Sequence, residues 1–145
     1  MAEKRPQTLA NHARLDPPFH FFVLPVFGLS AIAATFHFIW RPSLHSAWLF
    51  VVAVAAVTAI LKLRMYALRV QDRIIRLEER LRLASLLPEP LHSRIPELTE
   101  DQLIALRFAS DAELPKLTER TLSEKLSKSD IKKAIQVWRP DYWRV

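Results

Sequence analysis

The chain has 145 residues, half of them hydrophobic and a quarter charged, with one glycine, ten prolines and no cysteine. A single glycine excludes glycine-rich nucleotide- and phosphate-binding loops, because each needs several glycines. The lack of cysteine excludes disulfides, thiolate metal sites and cysteine nucleophiles. The net charge is +6, but most of the excess lies in residues 62–87, which carry seven basic and three acidic side chains.

Two apolar segments dominate the N-terminal half of the chain. Pro17–Trp40 lack Asp, Glu, Lys and Arg over 24 consecutive residues, and Pro42–Leu61 lack them over 20. A bilayer core of roughly 30 Å needs about 20 helical residues, and a backbone in lipid must satisfy its own hydrogen bonds. We therefore predict two membrane-spanning helices, at about 19–40 and 44–66, the second extended by basic side chains that snorkel.

The connection between the two spans is short, which makes them antiparallel neighbours. Pro42 ends the first helix, and Ser43 can cap the second. The basic residues that follow the second span predict that this side of the membrane is cytoplasmic, so both termini are expected there. Anionic headgroups attract such side chains. The basic residues predicted at the membrane surface are Lys62, Arg64, Arg69, Arg73 and Arg76.

Two other interpretations of the apolar segments are less favoured. Ala31–Ala33 has the small-x-small form of a signal-peptide cleavage site, but the apolar run continues to Trp40. A hairpin buried in a soluble protein needs polar surface to cover it, and a chain of this length leaves too little.

One long helix is predicted from Ser46 to Leu87, because neither Gly nor Pro occurs before Pro88. Beyond the span, its apolar residues keep the four–three spacing of a coiled-coil seam. A second copy of the chain, the chain's own C-terminal helices or a different protein can cover this seam. The seam residues are Leu63, Ala67, Val70, Ile74, Leu77, Leu81 and Ala84.

A proline-punctuated linker, residues 88–97, precedes three predicted short helices. Capping boxes at Thr99–Gln102 and Ser110–Glu113 mark the first two, and Ser129-Asp130 can cap the third. The C-terminus that follows is rich in aromatic residues. It either packs back onto the core of the tail or contacts a partner or the membrane interface. The candidate contact residues there are Trp138, Tyr142 and Trp143.

The polar segment before the first span has two interpretations. It is a helix cap and turn, in which Asp16 accepts hydrogen bonds from first-turn amides and Pro17 and Pro18 occupy the first helical positions. Alternatively, it is a contact site. Its candidate contact residues are Asn11, His12, Arg14, Asp16 and His20.

Five histidines are the candidates for catalysis or for metal and haem ligation. His20 and His37 lie 17 positions apart on one predicted helix, or about 25 Å, so one chain cannot use both for the same metal. We predict no catalytic residue, no metal site and no cofactor. Histidines from two protomers are the alternative route to a haem or metal site.

Four motifs of this chain together resemble a known family. They are Asn11-His12-x-Arg14-x-Asp16-Pro17-Pro18-Phe19-His20, the stretch from Tyr66 to Arg82 that contains Val70-Gln71-Asp72-Arg73, the stretch Leu103–Asp111, and Trp138-Arg139-Pro140-Asp141-Tyr142. Over nearly its whole length the chain resembles a family of small bacterial membrane proteins of unknown function. The resemblance implies a two-span protein of the bacterial inner membrane, and it implies no activity.

The predicted fold is all-α: a two-helix transmembrane hairpin that continues into a long cytoplasmic helix, followed by a small helical tail. The predicted divisions are a cytoplasmic N-terminal segment at 1–18, the hairpin at 19–66, a cytoplasmic amphipathic helix at 67–87 and the tail at 88–145.

We expect a membrane-anchored interaction module without enzymatic activity, an accessory or scaffold subunit. Its expected partners are a bilayer with anionic headgroups and either a second copy of the chain or another membrane protein. Nucleic acid is not expected, because no aromatic residues are interleaved with the arginines as a stacking platform needs. The alternatives are a haem- or metal-binding membrane protein and a small oligomeric transporter or channel component.

Overall fold

The computed structural model of the chain describes residues 8–9 and 15–140. Within these residues there are helices and connections but no β-strand, apart from one isolated antiparallel bridge between Ala109 and Trp138. The all-α prediction is therefore confirmed. The chain divides into two compact units. Of the described residues, we call 15–69 the hairpin unit and 8–9 together with 70–140 the tail unit.

The hairpin unit becomes helical at Pro17 and Pro18 and continues through a π-helical turn, Phe19–Val23, directly into α1, Leu24–Trp40. The second helix, α2, extends over Leu44–Leu86 and belongs to both units. Its residues up to 69 lie in the hairpin unit, and the others lie in the tail unit. As predicted, α1 ends before Pro42, because the residue preceding a proline is pushed out of the helical conformation. Arg41 accordingly has a φ of −135° and a ψ of 72°.

The start of α2 has a reciprocal cap that confirms the predicted role of Ser43. The Ser46 amide donates to the Ser43 hydroxyl at 3.1 Å, and the Ser43 amide donates to the Ser46 hydroxyl at 2.9 Å. The Ser46 hydroxyl also donates to the Arg41 carbonyl oxygen at 2.8 Å, and Ser46 is fully buried. These bonds satisfy polar groups that a helix start would otherwise leave without partners.

Both helices of the hairpin unit are long and apolar enough to cross a membrane. The first candidate span is Phe19–Trp40, which consists of the π-helical turn and α1. The second is the apolar N-terminal part of α2. Almost none of the residues in their apolar stretches is buried within the chain, unlike those of the core helix of a soluble domain. The Phe38 and Phe50 rings stack between the two helices, with centroids 5.9 Å apart. The Thr35 and Thr58 hydroxyls donate to carbonyl oxygens one turn back, so they place no unsatisfied hydroxyl in the apolar surface.

The tail unit packs short helices around one apolar core. After the C-terminal part of α2 come a 3₁₀ helix and three α-helices, which are His92–Glu97, α3 at Glu100–Leu106, α4 at Leu114–Glu124 and α5 at Lys128–Ala134. Helices this short are marginal alone, so they depend on mutual burial. The fully buried hydrophobic side chains are Leu83, Leu103, Ala105, Leu106, Phe108, Ala109, Leu114 and Ile131.

The three predicted helix starts of the tail have different outcomes. The Thr99–Gln102 capping box is confirmed, with both of its hydrogen bonds present. At Ser110–Glu113 the Glu113 carboxylate accepts from the Ser110 amide at 3.2 Å, but α4 begins only at Leu114 and has no side-chain cap. The prediction that Ser129 caps the third helix was wrong, because Ser127 accepts the Asp130 amide and α5 begins two residues earlier.

We predict that Leu83→Ala destabilises the tail unit by about 2–5 kcal/mol, because it leaves a cavity where a leucine is fully buried. The control is Val137→Ala, since Val137 is 62% exposed in the same unit, and its effect is expected within about 0.5 kcal/mol. Urea unfolding in detergent measures both changes. Equal losses in the two variants would contradict the packing of α2 against the tail.

Candidate functional site

Within the tail unit, one side of α2 packs against the other elements of that unit. Ile75, Glu79 and Leu83 follow one another at intervals of four residues, and each is less than 7% exposed. Residues spaced in this way lie on one face of a helix. We call this set the inner row.

The opposite side of α2 is bare and apolar. We define the outer stripe as Val70, Ile74, Leu77 and Leu81, whose side chains are between 52% and 65% exposed. Leu77 and Leu81 each lie two positions from an inner-row residue, and two positions on a helix are about 200° apart. The chain's own C-terminal helices therefore do not cover the predicted seam from Val70 onwards. In the hairpin unit, the seam residue Leu63 is 68% exposed.

Charged side chains flank the outer stripe along its length. Arg73 and Arg80 lie on one side of it and Glu78 on the other, since a residue advances about 100° per position. All three are exposed. Within the described residues, none of the three has a salt bridge or a side-chain hydrogen bond. The stripe and its flanks are therefore open to an outside partner.

Other arginines of α2 are engaged by the tail. Arg76 forms an ion pair with Glu100, and its Nε donates to the Asp72 carbonyl oxygen at 3.2 Å. The Arg82 Nη2 donates to the Ala109 carbonyl oxygen at 2.7 Å. Arg76, which we predicted at the membrane surface, thus has a partner inside the chain.

The inner row contains a carboxylate with two cationic partners. Arg82 Nη1 lies 3.1 Å from Glu79 Oε2, and Arg139 Nη1 lies 3.5 Å from Glu79 Oε1. Burial raises the pKa of Glu79 above its ordinary value of 4.5, and the attraction of Arg82 and then Arg139 offsets only part of that rise. Arg82 Nε also donates to Asp111 Oδ1 at 2.8 Å, and this hydrogen bond lowers the pKa of Asp111. The network joins α2 to the segments around residues 111 and 139.

The hairpin unit places the predicted contact residue Asp16 beside Arg64. Asp16 Oδ2 lies 3.5 Å from Arg64 Nη1, and the Arg64 guanidinium lies 5.4 Å from the Phe19 ring centroid. His20 Nδ1 lies 2.8 Å from the Asp16 carbonyl oxygen. Pro17 and Pro18 are the first helical residues, as expected, and the His20 amide donates to the Asp16 carbonyl oxygen at 2.9 Å. The expectation that the Asp16 carboxylate accepts from first-turn amides was wrong, because no described amide donates to it. The carboxylate pairs with Arg64 instead.

The predicted aromatic C-terminus is described only as far as Pro140. Trp138 packs against the core, with its ring centroid 5.1 Å from that of Phe108. The Arg139 amide donates to the Phe108 carbonyl oxygen at 2.7 Å, which holds this segment against the end of α3. The candidate contact residues outside the described part are Asn11, His12, Arg14, Tyr142 and Trp143.

No group of three or more His, Cys, Asp or Glu in the described part of the chain is placed to hold a metal ion. The charged cluster around Glu79 is occupied by its own arginines. In the tail unit, the outer stripe with its flanking charges is exposed and is accessible to a binding partner.

The sequence matches, over residues 1–145, a family of unknown function, DUF6526. The chain belongs to this family. This agrees with the resemblance to an uncharacterised family, and the match covers every element of both units. Comparison with curated proteins and with solved structures gave no match.

Sequence reasoning on this DUF6526 chain missed the inner row and its ion pairs. Ile75 and Leu83 are apolar and eight positions apart, and Glu79 stands midway between them. A charged residue in that position hides the second apolar face, because it breaks the pattern of hydrophobic residues. The signal available was the arginine three residues after Glu79, a spacing at which oppositely charged side chains on a helix meet.

We predict that Glu79→Gln changes how stability depends on pH. In the unfolded chain this carboxyl titrates near 4.5, and in the folded chain its pKa is higher. The folded state then binds the proton more tightly, so Glu79 lowers stability as pH rises from about 4.5 through its folded pKa. The unfolding free energy of the original chain minus that of the variant should fall across this window.

Urea titrations in detergent at a series of pH values measure this difference. Glu119→Gln, on the exposed side of α4, controls for the loss of one acidic side chain. A difference that increases with pH would show that the arginines dominate over burial at Glu79.

Proposed function

We propose that this chain is a membrane-anchored interaction module, an accessory or scaffold subunit of an assembly in the bacterial inner membrane. Phe19–Trp40 and the apolar part of α2 form the anchor, and both termini lie in the cytoplasm. The module assembles with a second copy of itself or with another membrane protein. It carries out no reaction of its own.

The outer stripe is the observation that carries this proposal. Isolated exposed hydrophobic side chains are ordinary on protein surfaces, but a continuous apolar row with charged flanks is typical of an interaction surface. The four residues of the stripe are all more than half exposed. They also lie on a helix whose other face already holds a packed domain, so the stripe is not an unfilled part of that core.

The distribution of charge supports the proposed orientation. Residues 62–87 carry seven basic side chains, whereas the connection between the spans carries the single basic residue Arg41 and no acidic one. Basic residues near span ends are concentrated on the cytoplasmic side of bacterial membranes. Lys62 and Arg69 are exposed, and we assign them to contacts with anionic headgroups.

The orientation can be tested by labelling single cysteines, since the chain has none of its own. Leu44→Cys lies at the start of α2, where the side chain is 93% exposed, and Ser123→Cys lies on the exposed side of α4. A membrane-impermeant maleimide applied to intact spheroplasts should label Leu44→Cys, and should label Ser123→Cys only after the membrane is opened. The unaltered chain is the control. The reverse pattern, or recovery of the chain in the soluble fraction, would contradict the proposal.

The interaction role can be tested by gentle extraction from native membranes, followed by measurement of the mass and composition of the complex. We expect a species larger than one 16.8 kDa chain, with either additional copies or a second subunit in fixed ratio. A monomer that binds only lipid and detergent would contradict the module.

A further inference from the structure

We infer that the outer stripe pairs with the same stripe of a second copy of this chain, as a short parallel two-stranded coiled coil. This inference rests on the proposed function, because it takes both copies to be anchored in one membrane with the same orientation. It goes further by naming the partner, the face and the register.

The outer stripe has the register of a dimeric seam. With heptad positions named a to g, Ile74 and Leu81 occupy a, and Val70 and Leu77 occupy d. These are the two positions that face the partner in a coiled coil, and Ile at a with Leu at d favours two strands. Ile74 and Leu77 form such a layer at the centre of the stripe.

The tail leaves this seam free for a second helix. Ile75, Glu79 and Leu83, which are buried within the chain, occupy positions b, f and c. In a two-stranded coiled coil these positions point away from the partner. Two copies can therefore meet along the outer stripe while each keeps its own tail folded on the far side.

The flanking charges select the parallel arrangement. Arg73 and Arg80 occupy g, and Glu78 occupies e. In a parallel pair, g of one helix faces e of the next heptad in its partner, so Arg73 meets Glu78 of the second copy, twice by symmetry. In an antiparallel pair g faces g, which places arginines against arginines. Arg73 and Glu78 form no salt bridge within the described part of their own chain, so both are available.

Membrane anchoring compensates for the short length of the seam. Two heptads are marginal for helices that meet freely in solution. Two copies inserted in one membrane with the same orientation are confined to the plane of that membrane, and their α2 helices run in the same direction. This confinement raises their effective concentration for pairing. The weak pairing of a short seam is then sufficient for association.

Disulfide cross-linking in native membranes tests the pairing. Ile74→Cys and Leu77→Cys should each form a disulfide-linked dimer on mild oxidation, because equivalent a or d positions of a parallel pair approach within the roughly 4.4–6.8 Å between Cα atoms that a disulfide needs. Arg69→Cys is the matched control on the same helix, exposed but at an outward c position. Equal yields at all three positions, or none at residues 74 and 77, would overturn the inference.

Charge reversal tests the register. Arg73→Glu and Glu78→Arg, each combined with Leu77→Cys, should weaken dimerisation about threefold to tenfold, because each places like charges together twice. The double reversal restores opposite charges and should restore the cross-linking yield to that of Leu77→Cys alone. The same low yield in the double reversal would overturn the parallel register.

Failure of this inference differs from failure of the proposed function. A large complex with a foreign subunit and no cross-link at residues 74 and 77 would overturn self-pairing and leave the interaction module intact. Quenching of a fluorophore at residue 77 by brominated lipid, without cross-linking, would overturn self-pairing in favour of the membrane surface. A monomer in the extraction experiment would contradict both.

Discussion

Between Val70 and Leu86, helix α2 carries apolar residues on two opposite sides, and the elements of the tail cover only one of them. Because a helix turns about 100° per residue, the inner row and the outer stripe face in nearly opposite directions. One short helix therefore cannot contact both. The helices of the tail have 7, 11 and 7 residues, too few to be stable without burial. They therefore depend on burial against the inner row, and the outer stripe remains exposed.

The tail packs on α2 through a carboxylate as well as through hydrophobic side chains, and this carboxylate makes the register of packing specific. Burying a single charge is costly, and removing the partner of a buried ion pair is strongly destabilising. Glu79 is 4% exposed and lies near the guanidinium groups of Arg82 and Arg139. A tail shifted along α2 would separate Glu79 from Arg139, so this contact favours one register of packing over its neighbours.

Local patterns in the sequence were sufficient for some elements and not for others. The two long apolar helices, the Ser43 cap and the Thr99 capping box each depend on residues close in sequence, and the structure contains all three. Contacts between distant residues were missed. Asp16 pairs with Arg64 rather than with the first helical turn, and the tail selects the face of α2 that contains Glu79. Both outcomes depend on which segments meet in space, which no local spacing encodes.

The two faces of α2 share no side chain, and this separation has an evolutionary consequence. Substitutions in the outer stripe leave the tail's core untouched, whereas substitutions in the inner row act on folding before they act on association. Selection can therefore alter the affinity or the identity of the partner without a loss of stability. The fold of one chain therefore tolerates exchanges among apolar residues at Val70, Ile74, Leu77 and Leu81, whereas Ile75 and Leu83 are constrained by their burial.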